Sequence, residues 1–140
     1  MTAIQPLLLD TCAAIWLVNG DPISVESRAA ITGAQTANAG VHVSPMTVWE
    51  IVRLVAKNRI YLSRSPEDWF DGLLGLTGVR LAAMPPKVLI ASASLPGLPP
   101  KDPVDRILAA TGRMFGYSII TRDGELMLYA RAGHIKAIGC

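Results

Sequence analysis

The sequence predicts an α/β fold in which helices cover both faces of a parallel sheet. Short apolar runs typical of buried strands alternate along the chain with longer segments of helical character. Helix-start signals, such as Ser44-Pro45 and Asp102-Pro103, open several of the longer segments. Because a helix is the usual connection between parallel strands, this alternation favours a parallel sheet over hairpins.

Each predicted element rests on a local pattern of this kind. We expect strands at residues 6–9, 41–43, 79–82, 117–121 and 134–138. We expect helices at residues 13–18, 23–37, 45–58, 66–76, 86–94, 103–115 and 123–130. Two helices carry apolar residues at helical spacing, which predicts stripes that face the core. The first stripe is Val48, Ile51, Val52 and Val55, and the second is Val104, Ile107, Leu108 and Phe115.

Length and composition narrow the range of functions. With 140 residues the chain has the length of one domain, and we interpret residues 1–140 as a single unit. Apolar residues make up 51% and charged residues 17%, which argues against disorder and predicts exposed apolar surface for a partner. The net charge of +2 permits a nucleic-acid partner without arguing for one.

The cysteines and the N-terminal segment predict a cytoplasmic protein. Cys12 and Cys140 have neither metal-ligand spacing nor enough partners for a disulfide scaffold, so we expect a reducing compartment. The N-terminal segment reaches Asp10 after only three leucines and has no positively charged start. We therefore expect neither a signal peptide nor a membrane anchor.

Four acidic residues are expected at one edge of the predicted sheet. Asp10 and Asp123 follow predicted strands, and Glu50 and Asp105 lie in the first two turns of predicted helices. Ligands of parallel α/β sheets bind beyond the carboxyl ends of the strands, so these side chains are candidate functional groups. Four carboxylates in one cleft repel one another unless a cation neutralises them. Oxygen ligands without His or Cys favour Mg²⁺ or Mn²⁺, and such ions support phosphoryl chemistry.

A purely structural role is the alternative for each of these acids. Asp10 and Asp123 could be helix N-caps, and Asp105 could complement the helix dipole. Glu50 lies too deep in its helix to cap it, and Arg53, three residues later, offers only a weak surface pair.

Four ordered motifs resemble those of the PIN-domain nucleases and, within that family, the VapC-type ribonuclease toxins of bacterial toxin–antitoxin pairs. The motifs are LLLDT with Asp10, SPMTVWEI with Glu50, KDPVDRILAAT with Asp105, and SIITRD with Asp123. They span residues 7–123 in the order and approximate spacing that the family uses.

This resemblance implies both a fold and an activity. The fold is a PIN-like three-layer sandwich with five parallel strands in the order 3-2-1-4-5. The activity is a Mg²⁺- or Mn²⁺-dependent endoribonuclease, in which metal-activated water cuts RNA to leave 5′-phosphate and 3′-hydroxyl ends. Asp10, Glu50, Asp105 and Asp123 are carried over as the catalytic and metal-binding quartet. The resemblance also implies a homodimer that assembles with a cognate, VapB-like antitoxin.

Further residues beside the quartet are secondary candidates. Thr11 and Thr121 match hydroxyl positions, and Thr121 is the stronger candidate to touch a metal-bound water or a phosphate. Asp102 lies one helical turn before Asp105, and we expect it to cap the helix. Three arginines next to the acids are candidate phosphate contacts, with solvation or ion pairing as the alternative. They are Arg53, Arg106 and Arg122.

The histidines and tryptophans are expected to be structural. His42 and His134 fall in strand-like segments far apart in the sequence. Trp16, Trp49 and Trp69 show no spacing that suggests a stacking platform for RNA, so we expect core or interface packing.

Two other functions remain as alternatives to a toxin ribonuclease. One is a catalytically silent PIN-like module that binds RNA or protein, and the complete quartet argues against it. The other is a housekeeping nuclease that processes ribosomal RNA or DNA flaps. The sequence contains no additional RNA-binding domain and no large arch insertion, which disfavours that class.

Overall fold

The computed structural model describes residues 4–140, and its centre is a five-stranded sheet. The strands are β1 (Leu7–Leu9), β2 (Val41–Val43), β3 (Val79–Leu81), β4 (Ser118–Thr121) and β5 (Lys136–Gly139). Their order in the sheet is β3-β2-β1-β4-β5, and every neighbouring pair is parallel. The predicted α/β class and the 3-2-1-4-5 order are therefore confirmed.

Seven helices connect or flank these strands in residues 4–140. They are α1 (Thr11–Asn19), α2 (Val25–Thr36), α3 (Pro45–Ala56), α4 (Pro66–Leu74), α5 (Pro86–Ala93), α6 (Pro103–Phe115) and α7 (Gly124–Arg131). Pro occupies the first turn of four of them, where its missing N–H has no helical partner. The longest helix, α6, ends at Gly116, whose φ of 73° provides a left-handed cap.

The central strand β1 divides the core between the two faces of the sheet. Leu7 and Leu9 point to one face, where they pack in a cluster with Ile51 and Trp69. Leu8 points to the other face and packs with residues of α6 and α7, including Leu108. Alternate residues of a strand face opposite sides, so one short leucine run supplies both layers. Helices cover both faces, as predicted.

The order of the strands also determines where a ligand can bind. Strand β1 pairs with β2 on one side and with β4 on the other. The sheet therefore grows in one direction from β1 to β3 and in the opposite direction from β4 to β5. A crevice forms beyond the carboxyl ends of parallel strands at such a point. Asp10 follows β1 directly, and Asp123 lies two residues after β4.

Parts of the two predicted core stripes are wrong. In α3, Ile51 is fully buried, but Val52 is 43% exposed and lines a surface groove with Pro66 and Phe70 of α4. Helices α1, α4 and α6 pack against α3, and they leave Val52 at the open edge of the stripe. In α6, Val104, Ile107 and Leu108 are buried as predicted, whereas Phe115 in the last turn is half-buried.

His134 also departs from its predicted place. It lies in the turn before β5, which begins two residues later at Lys136. Gly133 has a φ of 88°, which redirects the chain after α7, and the His134 ring packs 4.7 Å from the ring of Tyr129. His42 does lie in β2, with Nδ1 hydrogen-bonded to the carbonyl oxygen of Leu7 at 3.0 Å.

The described surface carries the apolar side chains that the composition predicts. The most exposed include Leu98, Tyr61, Val25 and Ile90, each at least 70% accessible to solvent. Among residues 4–140, no helix has the combination of length and apolar character that crossing a membrane requires.

Candidate active site

A cleft of about 440 Å³ opens at the carboxyl ends of β1 and β4. Nine of the described residues line it: Asp10, Thr11, Cys12, Trp16, Glu50, Asp102, Asp105, Arg122 and Asp123. The structure therefore brings all four quartet residues into one cleft, together with Asp102 and Thr11. Five carboxylates face a single arginine there, so the lining is strongly negative.

Asp10 is held rigidly at the base of the cleft. One carboxylate oxygen, Oδ1, accepts a hydrogen bond from the backbone N–H of Ala13 at 2.7 Å, which caps α1. The other, Oδ2, accepts from the hydroxyl of Thr121 at 2.6 Å. Burial raises the pKa of Asp10, the two hydrogen bonds oppose that shift, and the charges of Asp123 and Glu50 raise it further. Asp10 is thus both the cap that its position suggests and a member of the acidic cluster.

The hydroxyl of Thr121 links two of the acids. It donates to Asp10 and accepts from the backbone N–H of Asp123 at 2.9 Å, and the residue is fully buried. Its hydrogen is therefore committed to a carboxylate, and its role in this geometry is to position Asp10 and the start of α7. The predicted contact with a metal-bound water or a phosphate stays a prediction.

Asp102 and Asp123 cap helices at the rim of the cleft. Asp123 Oδ2 accepts from the backbone N–H of Leu126 at 2.9 Å, at the start of α7. Asp102 Oδ1 accepts from the backbone N–H groups of Val104 and Asp105, at 2.8 and 3.3 Å. The capping role expected for Asp102 is therefore present. Each cap uses one carboxylate oxygen, which leaves the second oxygen of each residue available to a ligand.

Asp105 lies in the first turn of α6 and lines the cleft. Within the described part of the chain, neither its carboxylate nor that of Glu50 accepts a hydrogen bond. Burial, the largest cause, and the charges of Asp123, Asp102, Glu50 and Asp10 together raise the pKa of Asp105 to about 7. A cation bound beside Asp105 would reverse this shift, because it would favour the charged form.

Thr11 contributes a buried hydroxyl group to the lining of the cleft. Its hydroxyl oxygen is buried and lacks a hydrogen-bond partner among residues 4–140. Buried hydroxyls normally have a partner, but the feature is not confined to the cleft, since the Thr47 hydroxyl and the Trp69 indole N–H are also buried without one among residues 4–140. This placement agrees with the hydroxyl role predicted for Thr11, which stays a prediction.

Only one of the three candidate arginines lines the cleft. Arg106 donates from Nε to the carbonyl oxygen of Ser92 at 2.9 Å and from Nη1 to that of Pro100 at 3.3 Å, so it joins α5 to the loop before α6. Arg53 lies over the ring of Trp49, 4.5 Å from its centroid. Arg122 is the arginine in the cleft lining.

The three tryptophans occupy three different environments. Trp69 is 2% exposed and belongs to the core, as predicted. Trp49 is 48% exposed on α3. Trp16 lines the acidic cleft, where Arg122 covers its ring at 4.1 Å.

Sequence reasoning missed Cys12 and Trp16 as cleft residues. Both lie on α1, which begins immediately after Asp10, and they are four residues apart. Residues at this spacing share a helix face, so a helix capped by a site residue presents its second and sixth positions to the same site. That spacing was a usable signal. The expectation of core packing for Trp16 is correct only for the part of its ring that contacts the core cluster.

The donor set suits a hard divalent cation. Its oxygen donors are carboxylates and hydroxyls, the class that Mg²⁺ and Mn²⁺ prefer. The thiol of Cys12 also lines the cleft, contrary to the expectation of a site without cysteine, and burial raises its pKa. The raised pKa of Asp105 indicates negative charge that the protein does not neutralise. As the side chains stand, no three acidic, His or Cys groups within residues 4–140 converge closely enough to enclose an ion. Binding would therefore require changes of rotamer by side chains such as Glu50 and Asp105.

The sequence matches the family model described as PIN domain over residues 7–132. The chain belongs to the PIN-domain family. This match covers all four motifs and confirms the resemblance. The PIN domain is also 29% identical to Ribonuclease VapC22 of Mycobacterium tuberculosis (strain ATCC 25618 / H37Rv) over 122 residues, which are 86% of this chain and 88% of that protein.

Solved structures show the same fold at lower identity. In VapBC2 from Rickettsia felis bound to a DNA fragment from their promoter, the matching chain gives a TM-score of 0.63 at 14% identity, covering 96% of this PIN domain and 98% of that chain. In DNA-bound VapBC from Salmonella typhimurium, the TM-score is 0.59 at 17% identity, with 96% and 98% covered. At such identities the comparison shows the fold alone.

Proposed function

We propose that this PIN domain is a divalent-metal-dependent endoribonuclease and the toxin of a toxin–antitoxin pair. The observation that carries the proposal is the convergence of Asp10, Glu50, Asp105 and Asp123 in one cleft at the switch point of the sheet. The similarity to a ribonuclease VapC22 over most of both chains supports the choice of RNA as substrate.

In this proposal the four carboxylates hold Mg²⁺ or Mn²⁺, with Asp10 as the fixed ligand. When bound, the ion would polarise the RNA phosphodiester and lower the pKa of a water, the chemistry that yields 5′-phosphate and 3′-hydroxyl ends. Thr121 keeps Asp10 in one rotamer through its 2.6 Å hydrogen bond. Asp102 holds the first turn of α6 and so places Asp105 at the rim.

The proposed antitoxin partner accounts for the apolar surface. Leu98 and Ile90 are among several large apolar side chains that are mostly exposed, and patches of such residues mark interfaces. Solved structures with this fold include VapBC complexes, which supports an antitoxin as the partner. A homodimer of the PIN domain and a cytoplasmic location are further parts of the proposal.

The test is RNA cleavage by the purified protein with Mg²⁺ or Mn²⁺, compared with the same protein in EDTA. We expect cleavage only with the metal, and we expect Asp10→Asn and Asp105→Asn each to lower kcat by at least about a hundredfold. Asp71→Asn is the matched control, because Asp71 is exposed on α4 outside the cleft. Expression of the wild type alone should arrest growth, and co-expression of the antitoxin should relieve the arrest.

Three results would point elsewhere. Absence of cleavage with either metal would favour the silent PIN-like module. Cleavage confined to ribosomal RNA precursors, without growth arrest, would favour a housekeeping nuclease. Full activity of Asp105→Asn would contradict the assignment of the cleft as the active site.

A further inference from the structure

A cation and an aromatic ring form one wall of the acidic cleft. Of the described residues that line the cleft, only Arg122 is cationic and only Trp16 is aromatic. The guanidinium carbon of Arg122 lies 4.1 Å from the centroid of the Trp16 ring, so the two groups are stacked. Arg122 is the chain neighbour of both Thr121 and Asp123, which places the stack directly beside the acids.

Two hydrogen bonds fix the orientation of the guanidinium group. Arg122 donates from Nε to the carbonyl oxygen of Cys140 at 2.7 Å and from Nη2 to that of Pro22 at 3.4 Å. The N–H groups of arginine all lie in the guanidinium plane, so these bonds hold that plane while Trp16 covers one face. Both acceptors are main-chain oxygens, and they orient the guanidinium group.

Arg122 is exposed to solvent although two hydrogen bonds orient it, so a planar ligand can reach the guanidinium group. A planar cation backed by an indole ring attracts the π-face of a nucleobase by stacking and by cation–π interaction. Because the surface is already ordered, little conformational freedom is lost when a base binds.

We propose, on the basis of the ribonuclease function proposed above, that the Trp16–Arg122 stack binds one base of the RNA next to the cleaved phosphodiester. The base lies on the open face of Arg122, and Trp16 supports the guanidinium from behind. Stacking of this kind accepts any base, so the stack positions the strand and contributes little to sequence choice. A contact between Arg122 and an RNA phosphate is the competing use of the same side chain.

The experiment removes single bases from an RNA decamer that contains a mapped cleavage site. Each decamer carries one abasic ribose, and kcat and KM are measured for the wild type, Arg122→Lys and Trp16→Leu. The Arg122→Lys variant keeps the charge but loses the planar group, so a phosphate contact survives in it while stacking does not. Arg131→Lys is the control, because Arg131 is exposed at the end of α7.

We expect one abasic position beside the cut to raise the KM of the wild type about tenfold with little change in kcat. The same substitution should leave the KM of Arg122→Lys and of Trp16→Leu nearly unchanged, because these variants have already lost the stack. Trp16→Phe keeps an aromatic ring, so the abasic position should raise the KM of this variant nearly as much as it raises that of the wild type. The same pattern should appear in the dissociation constants of the decamers, measured by fluorescence anisotropy in the Asp105→Asn background.

If the abasic position raises the KM of the wild type and of Arg122→Lys by the same factor, the proposal is wrong. A different result would assign Arg122 to a phosphate contact instead. In that case Arg122→Gln would bind every decamer more weakly by the same factor, whichever base is missing, and the salt dependence of its binding would fall by about one phosphate contact. The anisotropy measurement needs no cleavage. If the wild type cuts nothing, the proposed function is contradicted, and the same set of abasic positions in a decamer of arbitrary sequence still tests the stacking by anisotropy: one position at which base removal weakens wild-type binding but not that of Arg122→Lys supports it, and no such position overturns it.

Discussion

Two depressions lie on either side of α6, and they differ in charge: one is acidic and the other is mainly apolar. The acidic cleft holds five carboxylates and one arginine, and the carboxylate of Asp105 accepts no hydrogen bond in the described structure. On the other side lies an apolar groove, which we define by Leu98, Arg106, Leu128, Tyr129 and His134. Adjacent residues of one helix, Asp105 and Arg106, thus belong to different surfaces.

Three polar side chains of the apolar groove are hydrogen-bonded within the protein. Arg106 donates to two main-chain carbonyls, and the Tyr129 hydroxyl donates to the carbonyl oxygen of Pro96 at 2.6 Å. Glu125 at the edge accepts from the backbone N–H of Lys101 at 2.9 Å. These side chains contribute to the fold, whereas the Asp105 carboxylate in the cleft accepts no hydrogen bond within the described residues. This difference favours the cleft as the surface that binds a charged ligand, as proposed above.

The largest expected effect on stability comes from removing the structural arginine. Arg106→Ala deletes the hydrogen bonds that join Ser92 and Pro100 across the loop between α5 and α6. Hydrogen bonds from charged donors contribute about 1.5–3 kcal/mol, so we expect a loss of about 2 kcal/mol. Urea denaturation of the variant measures this loss. A change below about 0.5 kcal/mol would mean that the groove arginine is no more structural than an ordinary surface residue.

Removal of an uncompensated acid should have the opposite sign. The folded state raises the pKa of Asp105 to about 7 from an ordinary value of 3.8. Between these values the folded chain holds more protons than the unfolded chain, so stability falls as pH rises from about 4 to 7. We expect metal-free Asp105→Asn to be more stable than the wild type at pH 8 by about 1 kcal/mol, and to show little difference at pH 4.

Thermal unfolding in EDTA at the two pH values measures this difference. The control is Asp71→Asn, which should change the melting temperature little and equally at both. An Asp105→Asn variant that is less stable than the wild type at pH 8 would show that the carboxylate is compensated by the protein, as Arg106 is.

The smallest effect is expected on the apolar rim of the groove. Leu128 is 61% exposed, so Leu128→Ser should alter the free energy of unfolding by no more than about 0.5 kcal/mol and should leave RNA cleavage unchanged. Denaturation and initial-rate measurements together check this prediction. A fall in kcat would mean that the groove and the cleft are not independent.

The sequence predicted the fold and the quartet for a shared physical reason. Strand and helix signals, such as the leucines of β1 and Ser44-Pro45, are local, and the strand order places the residues after β1 and β4 side by side. The direction in which a side chain points depends on tertiary packing, which a local sequence pattern does not report. The helical pattern predicts Val52 in the core, although it is 43% exposed in a groove beside α4, and the sequence places Arg106 no farther from the cleft than Arg122.

Tertiary contacts explain the remaining differences. Whether Trp16 packs in the core or lines the cleft depends on how α1 rotates once Asp10 caps it, and Arg122 is oriented by carbonyls more than fifteen residues away in the chain. Such long-range contacts leave no periodic signal in the sequence. The dual role of Asp10 and Asp123, as helix caps and as cleft acids, was visible in the sequence only as two alternatives.

We propose that the acidic cleft binds a divalent cation through its carboxylates, and calorimetric titration with Mn²⁺ measures this binding. We expect the wild type and Asp71→Asn to bind Mn²⁺ with the same affinity. We expect Asp10→Asn and Asp105→Asn each to weaken binding by about tenfold or more. Mn²⁺ binding of equal strength in all four proteins, or no binding by the wild type, would show that the carboxylates of the cleft do not form a cation site.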